Sequence, residues 1–252
     1  FKDFELLISD DGSTDRTLAI CKEYADKDSR IKIFRQKERL GEHHNKSFLV
    51  HQASGAYFKL LDQDDYLEGE DFLENHYSKL KEGYDYIISN VDVEETDQSI
   101  GTVSRRRDTM DCFLNCKTRY DFTKSSLQES AMIFYGVFKK GEFKKIHDRL
   151  LLETKGQNHF IDGYFVHSAA MTLKGYYLPS EKFVYSIHGK NISRASPPEE
   201  FFPDFLFYIW ITLKLFIGSQ RLSRLENDIA VLPLQYVAVL IFVEGLVICG
   251  RM

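Results

Sequence analysis

The sequence predicts an α/β fold whose ligand site lies at the carboxyl edge of the sheet, and two observations predict it. Leu6-Leu7-Ile8 is a short apolar run that stops at Ser9-Asp10-Asp11-Gly12 and opens into a helix. Tyr57-Phe58-Lys59-Leu60-Leu61 is a second strand that ends in Asp62-Gln63-Asp64-Asp65. Two strand ends that each present carboxylates suit a nucleotide and a divalent metal bound at the open edge of such a sheet.

At the first edge, the apolar run is expected to be covered on both faces, and Gly12 gives the backbone freedom for a sharp reversal. Ser13 or Thr14 is expected to cap the following helix, with Asp15 in its first turn, where the helix dipole favours negative charge. Leu18, Cys21 or Lys22, and Ala25 continue it at helical spacing. Asp15 thus has capping and ligand contact both open to it, whereas the turn itself needs neither Asp10 nor Asp11 to be acidic. These two are candidate ligand contacts. At the second edge three carboxylates crowd into four positions, and such repulsion is relieved by a cation, by Lys or Arg, or by solvent. Oxygen ligands favour Mg2+ or Mn2+. An EF-hand loop is excluded, because Leu67 stands where its glycine is required. The alternative is a solvated turn before a helix that starts near Glu70.

The rest of the chain alternates in the same manner. A helix over Phe72 to Leu80 precedes a strand around Tyr84 to Val91, and residues 93 to 125 read as a polar and irregular insertion. Ser130 to Phe138 is apolar and strand-like or buried, and a helix follows around Lys140 to His147. Gly156 to Leu173 reads as a helix that buries Phe160, Phe165 and Ala169. Tyr176 to Leu178 and Phe183 to Tyr185 read as strands. Arg105-Arg106-Arg107 reads as a solvated loop, with an acceptor phosphate or lipid contact as the alternative. His167 and His188 each have a packed or solvated reading beside the ligand one.

These segments carry a family resemblance. Phe4 to Asp15, Leu40-Gly41 with Asn45, Ala53 to Tyr57 leading into Asp62-Gln63-Asp64-Asp65, Phe160-Ile161-Asp162, and Val184 to Ser193 together resemble family 2 glycosyltransferases of the GT-A fold. The resemblance spans residues 1 to 195 except for 93 to 125. It implies an open twisted mixed sheet flanked by helices, with an inverting transfer from a nucleotide-sugar donor, UDP-linked, to a glycan or lipid-linked acceptor in surface polysaccharide synthesis. Asp10 and Asp11 would then hold the base and ribose. Asp62 and Asp64 would lie beside ribose and diphosphate, with Asp64 or Asp65 binding Mn2+ or Mg2+. His188 would approach the metal or diphosphate, and Asp162 would be the general base. The chain departs from the family pattern at Ile161, where an acidic residue usually precedes the base, and at His44, where Arg usually precedes Asn45. It is also expected to be N-terminally incomplete, lacking the strand and helix with which the family begins, so that the sheet would miss an inner neighbour.

Composition agrees. A 252-residue chain suits one domain with an added segment, placed at 1-196 and 197-252. A net charge of -5 argues against a nucleic-acid partner. The 4 cysteines are scattered without paired metal spacing and read as reduced thiols in a cytoplasmic protein. Beyond Pro197-Pro198, residues 201 to 252 are aromatic and then apolar, and they read as a C-terminal helical segment. Pro233, Gln235 and Glu244 favour a buried or interfacial helix over a span. The expected contacts of 201-252 are therefore peripheral, at the inner face of the cell membrane, or with a second copy of the chain. Two other functions remain open: a nucleotidyltransferase, which would need a Gly-rich triphosphate loop not found near the first strand, and a non-catalytic nucleotide- or glycan-binding module.

Overall fold

The structure is a computed structural model that describes residues 1–97, 102–108, 110–126, 131–154 and 161–188. Expectations that fall on Phe160 and on 197-252 lie outside the described residues. Strands β1 (Leu6–Asp10) and β2 (Ile31–Arg35) pair in parallel around helix α1 (Thr17–Ala25). Helix α2 (Glu42–Gln52) then leads to β3 (Tyr57–Lys59), β4 (Tyr66–Glu68) and α3 (Phe72–Lys81). The second half comprises β5 (Tyr86–Asp97), β6 (Thr102–Asp108), α4 (Arg119–Ser126), β7 (Val137–Lys139), α5 (Lys140–Thr154), α6 (Ile161–Thr172) and β8 (Gly175–Ile187).

The strands fall into two sheets. β1 and β2 form one; the other is mixed and 6-stranded, in the order β3-β7-β5-β8-β4 with β6 on β5. β5 and β8 are its parallel centre, in register from Tyr86 opposite Gly175 to Glu95 opposite Ile187. The register shifts between Ser89 and Asn90, where the Asn90 amide donates to the Pro179 carbonyl at 2.6 Å and the Tyr177 hydroxyl donates to Asn90 Oδ1.

Aromatic packing holds this half together. Phe134, Phe138, Phe143 and Phe165 are fully buried. Their ring centroids lie 4.5 Å apart for Phe143 and Phe165 and 5.2 Å for Phe138 and Phe165. Offset and edge-on pairs of this kind add about 0.5–1.5 kcal/mol each beyond area burial. α6 lies across the cluster and buries Tyr164, Phe165, Val166 and Ala169.

Several expectations need correction. The described residues between 93 and 125 are largely regular: β5 runs on to Asp97, β6 pairs with it antiparallel, and α4 begins at Arg119. Alternating Val91, Asp92, Val93 and Glu94 carries the strand on, with the two valines buried. Arg105 is not in a solvated loop but in β6, ion-paired with Glu68 and Asp92, each at 2.9 Å. The second acidic cluster is followed by β4 rather than directly by a helix, and the helix begins at Phe72. β1 is not covered on both faces: Leu6 is exposed, and Leu7 and Ile8 are half-buried. Among the described strands it pairs with β2 alone. Neither Ser13 nor Thr14 caps α1; Asp15 precedes the helix, and its carboxylate accepts the Thr17 N–H at 2.9 Å.

Candidate functional site

The first edge is built by hydrogen bonds rather than packing. Gly12 at φ 95° turns the chain after β1. Asp10 is buried there; its Oδ1 accepts the Ser13 N–H at 3.0 Å, and its Oδ2, also buried, lacks a hydrogen-bond partner among the described residues. Arg35 Nε approaches that oxygen at 3.9 Å. Asp11 reaches across to the start of α2 and accepts the N–H groups of Leu40 and Gly41 at 2.7 and 3.0 Å. Gly41 has φ 76°, which favours glycine at this entry. Asn45 continues the link, since its amide donates to the Ser9 carbonyl at 3.2 Å while its Oδ1 accepts from the Ser9 hydroxyl. Asp11 and Asn45 therefore clamp α2 to the end of β1.

The next residue of α2 ties the helix to the second edge. Lys46 is 8% exposed at its side chain and contacts Glu42 at 2.6 Å and Asp62 at 3.4 Å. Its ammonium also lies 5.2 Å from the Phe134 ring centre. Burial opposes its charge, but Asp162, Asp62 and Glu42 outweigh burial and hold its pKa above the usual lysine range. The Tyr135 hydroxyl donates to Asp62 Oδ2 at 3.4 Å. Lys59 donates to the Tyr135 carbonyl, and burial pushes its pKa down to about 7 against the attraction of Asp65 and Asp62.

Asp64 and Asp65 meet the end of β8. Asp64 Oδ2 lies 2.9 Å from His188 Nε2, and Asp65 Oδ1 accepts the Ser186 N–H at 2.9 Å. Burial pushes the Asp65 carboxyl up to about 7, with Asp64 and Asp62 adding repulsion and Ser186 and Lys59 opposing them. Asp65 Oδ2 is buried without a hydrogen-bond partner among the described residues. Among the described residues no three His, Cys, Asp or Glu side chains converge as a ready-made metal cage. A magnesium-type site does not need one, because it commonly takes one or two carboxylates and completes its shell with water and substrate phosphates. The orphaned Asp65 oxygen and the Asp64–His188 pair fit that open donor set.

Asp162 stands in the first turn of α6. Its side chain is a third exposed, with His43 Nδ1 3.9 Å from Oδ1. Burial of that oxygen pushes the carboxyl up to about 6; Lys46 pulls it down, and Glu42 and Asp62 push it up. Asp62 thus contacts Lys46, whose charge also acts on Asp162, and Asp64 is paired with His188. Asp10 and Asp11 sit on the other flank of α2. His167, by contrast, is buried on α6 with Ser126 Oγ at 3.4 Å and takes no part. Sequence reading missed Glu42, His43, Lys46, Lys59 and Tyr135. Only the Glu42–Lys46 spacing of four residues beside Asn45 was a visible signal; the other contacts are long-range.

Comparison with known proteins bears on this arrangement. Residues 1–150 match the family model described as Glycosyl transferase family 2. The GalNAc(5)-diNAcBac-PP-undecaprenol beta-1,3-glucosyltransferase of Campylobacter jejuni is 26% identical over 235 residues, 89% of this chain and 68% of that protein. Glycosyltransferase GlyA of Streptococcus pneumoniae is 34% identical over 82 residues, 32% of this chain and 12% of that protein. Among solved structures, S. aureus TarS 1-349 in complex with UDP superposes with TM-score 0.57 at 17% identity, over 89% of this chain and 58% of that one. The same protein with UDP-GlcNAc gives TM-score 0.56 at 16% identity, over 94% and 70%. The shared architecture is GT-A, a mixed sheet flanked by helices. The chain spans only part of each of these proteins.

Proposed function

The chain belongs to glycosyl transferase family 2, and from that premise we propose that it moves a sugar from a UDP-linked donor to a glycan or lipid-linked acceptor, with inversion, in surface polysaccharide synthesis. The observation that carries this reading is Asp162. Burial pushes its half-buried carboxylate up to about 6, against the pull of Lys46, which itself contacts donor-side Asp62 at 3.4 Å. A carboxylate with that pKa is ionised at neutral pH yet basic enough to take a proton from a hydroxyl as its oxygen becomes nucleophilic.

In the proposed reaction Asp162 accepts the acceptor hydroxyl proton, the acceptor oxygen forms a bond to the anomeric carbon, and the bond from that carbon to the diphosphate breaks. A single displacement of this kind inverts the anomeric configuration. Asp10, with its buried unmatched oxygen, is the stronger candidate for holding the nucleoside. Asp11 contributes through the α2 entry it already ties down, and Asp62 stands toward the ribose and diphosphate. Asp64, Asp65 and His188 are the residues that would hold Mn2+ or Mg2+, which neutralises a leaving diphosphate when bound.

UDP is suggested by the ligands solved with TarS, and a lipid-linked acceptor by the name of the Campylobacter relative. Among the described residues no helix is long and apolar enough to cross a membrane. The proposed peripheral or self-association role of 201-252 lies outside them, as does a cytoplasmic location. A panel of UDP-sugars assayed for transfer and hydrolysis, with UDP binding followed by calorimetry in the presence of Mn2+, tests the reading. Sugar transfer that requires Asp162 is the expected result, and failure to bind any nucleoside diphosphate overturns it.

A further inference from the structure

A lysine can pair with a glutamate one turn away on a helix surface and still keep its head in water, and most do so. Lys46 does not. Its side chain turns inward to 8% exposure, passes the Phe134 ring, and reaches Asp62 on a separate segment of the chain. A buried ammonium must be matched by opposite charge. Here Glu42 on α2 and Asp62 in the loop after β3 contact it, His43 one turn back on α2 stands 3.9 Å from Asp162, and the charge of Asp162 on α6 acts on the ammonium as well. One cation among three carboxylates leaves an excess of negative charge, and at Asp162 the Lys46 ammonium is what opposes that excess.

We propose that Lys46 is a positioning residue for glycosyl transfer, joining donor-side Asp62 to Asp162 and holding Asp162 as a carboxylate ready to accept a proton. The groups facing Asp162 are Glu42, His43 and Lys46 on α2, Asp62 after β3, and Tyr135. From α5, His147 faces His43 and Lys46, and burial pushes its pKa down to about 4, so it brings no competing charge at neutral pH. Within this set Lys46 is the cation drawing Asp162 toward ionisation, while Glu42 and Asp62 resist it. The same ammonium serves both carboxylates, so a change at Asp62 is felt at Asp162. The proposal rests on Asp162 being the base of the proposed reaction.

Its test needs no substrate. The carboxyl carbon of Asp162 is followed by NMR in the full chain across pH 4 to 9, with Asp162→Asn supplying the assignment. Lys46→Gln is expected to raise the Asp162 midpoint by about one unit or more, a tenfold loss of carboxylate at a given pH below the midpoint. Lys46→Arg is expected to restore it to near the wild-type value. Should Lys46→Gln not fold, the wild-type chain still decides, because the Lys46 Nζ resonance must step at the Asp162 midpoint if the two groups are coupled. An unmoved midpoint in folded Lys46→Gln, or no step at Nζ, overturns the proposal. With a donor in hand, the acid limb of kcat/KM should move with the NMR midpoint, which a merely structural loss would not produce. Normal transfer by Asp162→Asn would instead overturn the base assignment while leaving the measured coupling intact, so the two failures are told apart.

Discussion

Residues 1 to 49 and the sheet built on β5 and β8 are held together in opposite ways. In the first region the buried residues are Asp10 and Lys46, both charged, and α1 buries nothing. In the second, Tyr86, Phe134, Phe138, Phe143, Tyr164 and Phe165 are sealed from solvent. The first region takes its shape from Asp11 on two backbone N–H groups, Asn45 on Ser9, and Glu5 on the N–H groups of Ser54 and Gly55. Net gains from such bonds are about 1 kcal/mol each, against about 1.5–3 kcal/mol for burial of a large apolar side chain. One half is a scaffold; the other is a polar cradle positioned by that scaffold and open to completion by a ligand.

Breaking the scaffold-side chemistry should give the largest effect. Asp162→Asn is expected to lower the rate of sugar transfer by about 10²–10⁴ while leaving UDP affinity within a few-fold, read by steady-state kinetics and calorimetry. Next, Phe143→Ala should cost about 3–5 kcal/mol in urea unfolding, because the ring is fully buried among Phe138, Phe165 and Phe58. Leu7→Ala in the half-buried first strand should cost well under half of that. Equal losses would erase the contrast between the regions. Saturation with UDP and Mn2+ at 100 times Kd should stabilise the chain by about 2.7 kcal/mol. Hydrogen exchange should then slow more at Leu6–Asp10 and Glu42–Gln52 than in β5.

The smallest effect concerns pH. Burial raises the Asp162 pKa in the folded state to about 6, above the ordinary aspartate value of about 4. Its contribution to stability is therefore fully present below about pH 4 and lost as pH rises through about 6. Relative to wild type, Asp162→Asn should gain stability across that window, by a modest amount because the side chain is a third exposed. A thermal-melt series over pH 4 to 8 that shows no change in the difference would remove burial as the cause of the shift.

Much of the polar cradle was legible in the sequence because its parts are local. Strand, acidic turn and helix follow one another from Leu6 to Ala25, and Asp62 to Asp65 follow β3 directly. Asp162 was readable as a helical residue through the family resemblance, although the helix was expected from Gly156 and its first turn at Ile161 was not. What sequence could not supply was partnership at a distance. Lys46 looks like a surface lysine until α6 and the loop after β3 close around it, and Tyr135 enters through a 3₁₀ turn whose apolar run reads as a strand. The β5–β6 hairpin was missed because Glu94, Glu95, Arg105 and Arg106 are polar on a strand. Arg105 stands opposite Glu94 and forks onto Glu68 of β4 and Asp92 of β5.

The parallel pairing of β5 with β8 has a consequence in time. Tyr86 must meet Gly175 before the centre of the sheet exists. On a growing chain the scaffold therefore closes only when β8 has been made. Residues 1 to 49 are synthesised before β5 and β8 yet have little apolar core of their own to consolidate them earlier. Non-local pairing of this kind slows folding because loop closure precedes its reward. Pulse-labelled hydrogen exchange during refolding should accordingly find β5 and β8 protected together, and β1 protected no sooner than they are. The edge made first is the edge expected to be finished last.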